Sequence, residues 1–87
     1  MKINYELILR EIAGDTFLVP IGEAAQQYNG MFVLNELGAF LWQHMEAAQD
    51  EEALVELVLN QYDVTREEAT ADIQEFIQGL REMGIVE

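Results

Sequence analysis

The residues best equipped for chemistry in this chain are its single histidine, His44, and two dense carboxylate clusters, Asp50-Glu51-Glu52 and Glu67-Glu68. A catalytic histidine needs an orienting partner, a nucleophile and an oxyanion donor converging on one pocket. The sequence places none of these around His44, which reads as a surface or boundary side chain. Each carboxylate cluster falls where a helix is expected to begin, and acidic groups there offset the partial positive charge of a helix N-terminus. The ligand spacing of a calcium-binding loop is absent. There is no cysteine, so thiol catalysis, thiolate metal sites and disulfides are excluded. The six glycines stand singly instead of forming a phosphate-cradling loop. Trp42 and Tyr62 read as core or boundary packing in preference to a ligand-binding pair. Asp72, one position before the apolar Ile73, is either a solvated face residue or a polar anchor at the rim of a groove. No catalytic residue, metal site or cofactor is expected, and the chain reads as a non-enzymatic binding domain.

The elements that position these residues follow from periodicity. Ile3, Tyr5, Leu7 and Leu9 alternate with polar residues, the period of a half-buried strand. A second strand runs from Thr16 to Ile21, with Phe17, Val19 and Ile21 on one face. Gly14-Asp15 is the expected centre of a two-residue hairpin turn, since glycine accepts the positive φ required there. Pro20 has no amide to donate, so the second strand ends there or has an open edge at that point. Residues 22–30 are small and polar, and Asn29-Gly30 signals a turn before a short third strand, Met31 to Leu34.

Three helices follow. Asn35 is the expected N-cap of the first, which carries Leu37, Phe40, Leu41 and Met45. Asp50 caps the second, with Leu54, Leu57 and Val58 before Tyr62. Thr65 and Glu68 form a capping box for the third, whose stripe is Ala69, Ile73, Phe76, Ile77 and Leu80. Gly84 ends it, with Ile85 folding back onto the last turn. The expected fold is a single α+β domain over 1–87: a three-stranded antiparallel sheet followed by a three-helix bundle resembling a winged helix-turn-helix.

Charge narrows the partners. Acidic residues number 17 against 4 basic ones, a net charge of −13. Residues 1–35 contain four acidic (Glu6, Glu11, Asp15, Glu23) and two basic side chains (Lys2, Arg10), so most of the excess lies in the helical part. Nucleic acids and anionic membranes would repel that part. No apolar run approaches the roughly 18 residues of a membrane-spanning helix, and the N-terminus lacks the order of a signal peptide. The cytoplasm is the expected location.

One physical feature points to a binding site. Met31 to Leu34 is short, apolar on both faces, and free of the charge or proline that would block strand pairing. At a sheet edge it would recruit an extended peptide; in the centre of the sheet it would simply be buried. The pattern leaves both arrangements open.

Leu34-Asn35 at the strand-to-helix junction, Asp72-Ile73 with Phe76 and Leu80 on the last helix, and the closing Gly84-Ile85 resemble the PqqD-like proteins. These are peptide chaperones named for pyrroloquinoline-quinone biosynthesis, and their fold is also called the recognition element of ribosomally made, post-translationally modified peptides. The resemblance spans nearly the whole chain and rests on the order and spacing of short motifs. It implies a partner, the leader segment of a precursor peptide, bound as an added strand between the third strand and the third helix. It implies a second partner, a modifying enzyme, often a radical SAM enzyme. Carried onto this chain, the peptide site is Met31, Phe32, Val33 and Leu34 with Ala69, Asp72, Ile73 and Phe76. The arginine-rich opening of the quinone-pathway members is missing, and their acidic-residue–glycine turn after the first helix is replaced by Glu46-Ala47-Ala48-Gln49-Asp50. Those departures point to another modified peptide. The competing readings are a helix-turn-helix regulator, opposed by the acidic third helix, and an acidic module that forms a homodimer through a sheet edge.

Overall fold

Ala13 and Gly14 reverse the chain between the first two strands. Both have positive φ, 53° and 87°, the combination that lets a two-residue loop follow the strand twist. In the computed structural model, which describes residues 1–87, they join β1 (Leu7–Ile12) to β2 (Asp15–Pro20) as an antiparallel pair. The turn therefore lies one residue earlier than the expected Gly14-Asp15. Burial explains the choice. In the observed register the fully buried Leu18 lies opposite Leu9. Centring the turn on Gly14-Asp15 would slide β1 by about two residues and set the charged Glu11 opposite Leu18 on the inward face.

β2 ends at Pro20, although the Ile21 amide still donates to the Glu6 carbonyl at 3.1 Å, so the missing Pro20 amide falls on the side away from β1. β3 (Phe32–Leu34) pairs antiparallel with β2, giving the order β1-β2-β3. Ile3 and Tyr5 are half-buried but do not lengthen β1. Ile3 instead bridges Val86, and the Asn4 amide donates to the Ile85 carbonyl at 2.7 Å. The two ends of the chain are thus tied to each other.

Between β2 and β3 lies a short helix, α1 (Glu23–Gln27), in a stretch the sequence left without an element. Five residues make little more than one turn, too few to write a helical period. The segment is held by the buried Ala24 and by Tyr28, whose hydroxyl donates to the Met83 carbonyl at 2.5 Å. The helices accordingly number four, with one inserted in the sheet, where three were expected.

The remaining helices begin at the caps read from the sequence. Asn35 Oδ1 accepts from the Gly38 amide at 2.7 Å and opens α2 (Glu36–Met45). Asp50 accepts from Ala53 at 2.9 Å and opens α3 (Glu51–Gln61). Thr65 and Glu68 form the reciprocal box that starts α4 (Arg66–Glu82). Such caps each stabilise a helix by about 1 kcal/mol. At the other end of α4, Gly84 has φ 80°. The Ile85 amide donates to the Leu80 carbonyl at 2.9 Å and the Gly84 amide to Arg81 at 3.0 Å, the paired bonds of a Schellman cap. Ile85 is thereby swung into the core, fully buried.

One cluster of 14 buried side chains forms that core, joining Leu7 and Leu18 of the sheet to the faces of α2, α3 and α4. The sheet uses only one face for it, the α+β arrangement. No helix is long and apolar enough to cross a membrane.

Candidate functional site

β3 is an edge strand. It pairs with β2 through three residues, and no backbone hydrogen bond of residues 31–34 reaches any group outside that ladder. β1 forms the other edge but carries Arg10 and Glu11, charges of the kind that discourage strand addition. β3 carries none.

A groove of about 470 Å³ opens beside β3 and is walled on its far side by α4. Helical geometry explains the wall. Positions 72, 76, 79 and 83 recur at three- and four-residue intervals and so share a face. Asp72, Phe76, Gly79 and Met83 line the groove, Ile73 and Ile77 on the adjoining stripe fill the core, and Leu80 belongs to both. One helix therefore serves both surfaces.

Two glycines shape this cavity differently. At Gly38, the first turn of α2 comes so close that an added Cβ would lie 3.3 Å from Phe76 Cε1 and 3.5 Å from Leu34 Cδ2. That contact brings α2, β3 and α4 together at one point. At Gly79 an added Cβ would meet nothing within 4 Å. Gly79 is thus a gap in the helical wall that faces open groove.

The sequence-predicted site residues divide accordingly. Phe32, Val33, Leu34, Asp72 and Phe76 come together along the groove. Phe32 and Leu34 are half-buried on the inward face of the sheet, whereas the Val33 side chain turns outward and is 70% exposed. Met31 precedes the strand and does not line the cavity. Ile73 is fully buried, so it supports the groove from beneath and offers it no surface. Ala69, also buried, lines a smaller hollow shared with Asp72 and Tyr62. Sequence reasoning missed Gly79, Glu75 and Met83. A glycine inside an otherwise strong helical pattern was the available signal, since it weakens the helix without an evident local reason.

The groove is mainly apolar, and its charged groups are Asp72 and Glu75; no cation lines it. Beyond it, His44 packs against the Phe40 ring with centroids 4.5 Å apart. No three His, Asp or Glu side chains converge as a metal site. Asp50 caps α3, and Glu52 pairs with Arg66 at 2.6 Å. Trp42 and Tyr62 both pack against the core.

The sequence profile described as coenzyme PQQ synthesis protein D (PqqD) matches residues 8–86. No curated protein sequence matches the chain. The structure of TbiB1 in complex with the TbiA(beta) leader peptide is similar, with a TM-score of 0.74 and 22% sequence identity. The match covers 100% of this chain and 95% of that one. At this identity the likeness is one of fold.

Proposed function

We propose that this chain, which belongs to the PqqD family, holds the leader segment of a ribosomally made precursor peptide and presents it to a modifying enzyme. The peptide lies as a fourth strand on the free edge of β3, over the groove walled by α4. One observation carries the reading: an unprotected, uncharged strand edge opens directly onto an apolar cavity. Main-chain hydrogen bonds to β3 supply affinity, and alternate side chains entering the cavity supply selection. The fold likeness to TbiB1, whose structure holds the TbiA(beta) leader peptide, supports the same reading.

The chain acts by binding, without chemistry of its own. Its one histidine lies outside the groove, against Phe40. The reaction belongs to the partner, for which the family resemblance implies a radical SAM enzyme. Asp72 and Glu75 favour a peptide with a cationic side chain at the rim. Both carboxylates are exposed, so each such contact contributes at most about 1 kcal/mol.

The test is a backbone scan of the leader peptide. Successive amides along an added strand point alternately toward and away from its neighbour. N-methylation of those facing β3 removes a hydrogen bond worth about 0.5–1.5 kcal/mol and adds a clash, a loss approaching tenfold per position. Methylation of the intervening amides leaves binding nearly unchanged. A loss profile without a two-residue period would rule out strand addition.

A further inference from the structure

The register of the sheet puts Ile8, Arg10 and Ile12 of β1, Phe17 and Val19 of β2, and Val33 of β3 on the face opposite the core. None of them packs against the core cluster. Ile12 is 49% and Val33 70% exposed. In a chain of net charge −13 the face is nearly free of acidic groups, with Asp15 at its turn end.

Arg10 stands in the middle of it. The other three cations are engaged within the chain. Lys2 pairs with Glu87 at 3.8 Å, Arg66 with Glu52 and Glu56, and Arg81 donates to the Glu87 carbonyl at 3.0 Å. Arg10 has no hydrogen bond or ion pair and is exposed. An unpaired arginine ringed by apolar side chains is the composition of an interface centre.

We propose that this outer face docks the modifying enzyme, which meets it with an apolar surface and a carboxylate opposite Arg10. The inference rests on the reading of the groove given above and extends it. A second copy of this chain is the poorer occupant. Face-to-face pairing would bring two arginines together and add −13 to −13.

Strand addition links the two surfaces. A peptide added to β3 sends alternate side chains into the groove and the others outward, level with Val33. The docked enzyme then touches the peptide and its carrier together. Size makes the peptide matter. Two strands of six residues and one of three span roughly 14 Å across and up to about 20 Å along the strands, and a fourth strand widens that by about a third. The enzyme therefore binds the loaded carrier more tightly than the empty one, and releases a carrier that holds no peptide.

The experiment takes as its probe the purified product of whichever neighbouring gene encodes a peptide-modifying enzyme, titrated into the chain alone and into the chain saturated with leader peptide. The variants are Arg10→Glu and Ile12→Asp; both sites are exposed and lie outside the groove. Amide spectra establish that each variant is folded. Each is expected to bind leader peptide with unchanged affinity and the enzyme about tenfold or more weakly, and wild type is expected to bind the enzyme more tightly when loaded. Variants that bind both peptide and enzyme like wild type overturn the docking face and leave the groove standing. A wild-type chain that binds no leader peptide overturns the groove, and the docking proposal with it. A wild-type dimer that Arg10→Glu splits into monomers assigns the face to a second copy and overturns the proposal.

Discussion

Gly79 separates what the fold needs from what the groove needs. It lies inside α4, exposed, with no atom within 4 Å of the position a Cβ would take. Gly79→Ala should therefore stabilise the folded chain by about 1 kcal/mol, the difference in helix propensity. For a domain of this size that raises Tm by about 4–8 °C. Gly79→Leu keeps most of the gain, because leucine is nearly as good a helix former, but its side chain projects into the cavity beside Phe76 and Met83. A peptide bound as proposed would then lose its apolar contact there. Forfeiting the burial of one such side chain costs about 1.5–3 kcal/mol, roughly 10- to 150-fold in Kd. Thermal unfolding and a titration of nitrogen-15-labelled protein with leader peptide measure the two effects side by side. The expected result is opposite in sign: stability rises while binding falls. A Gly79→Leu variant that is stable and binds normally would show that the peptide does not cross α4 at this point. Loss of stability in Gly79→Ala would refute the open space itself.

Three further outcomes follow from particular contacts. Ala13 holds a positive φ of 53°, which disfavours residues other than glycine and asparagine; Ala13→Asn should stabilise the chain by about 0.5–1 kcal/mol, read as a raised urea midpoint at unchanged m-value, and a lowered midpoint contradicts the turn. Tyr28→Phe removes the hydrogen bond to the Met83 carbonyl and should cost about 1 kcal/mol at neutral pH. Burial first, and the neighbouring Tyr5 second, push the Tyr28 hydroxyl above its ordinary pKa. Its contribution is thus complete below about pH 10 and lost as pH rises through the folded-state value, so the variant should lose less stability than wild type in alkali, and equal losses contradict the assignment. Finally, at low salt the net charge of −13 opposes pairing between free β3 edges. Raising salt to about 1 M shrinks the screening length to about 3 Å; light scattering should then show self-association that leader peptide suppresses, and association indifferent to the peptide would place it elsewhere.

The elements visible in the sequence were those whose signal is local. Asn35, Asp50 and the Thr65–Glu68 box mark their helix starts because a cap is a short-range hydrogen bond between a side chain and the next turn. Gly84 and Ile85 mark the end of α4 for the same reason. What the sequence could not settle depends on chain segments far apart. Ile3 alternates like a strand residue, yet its partner is Val86 at the other end of the chain. The sequence alone puts the hairpin turn one residue late, because loops at 13–14 and 14–15 keep the same faces inward. Only the pairing of Leu9 with Leu18 decides between them. Whether Met31 to Leu34 was central or at the edge turned on sheet order, which periodicity does not encode. Of the candidate site, Phe32, Leu34, Asp72 and Phe76 were legible as the strand and the helix face that meet. Ile73 shares that helix but belongs to the adjoining stripe, a rotation of about 100° that sequence spacing alone does not resolve.

Three departures from the local rules of stability coincide at the groove. The edge strand has no charge, proline or cover to protect it. Val33 on that strand is 70% exposed, and Met31 beside it is 50% exposed. Across the cavity, a helix that is otherwise well capped at both ends carries an interior glycine with open space before it. Each feature costs stability or solubility by itself, and nothing in the packing of the fold requires Gly79, in contrast to Gly38, where a Cβ would press on Phe76. Departures from local consistency are expected where binding, not folding, sets the requirement. On the proposed reading an extended peptide would satisfy all three at once: it would pair the edge, cover the exposed side chains, and fill the space that a larger residue at position 79 would have closed.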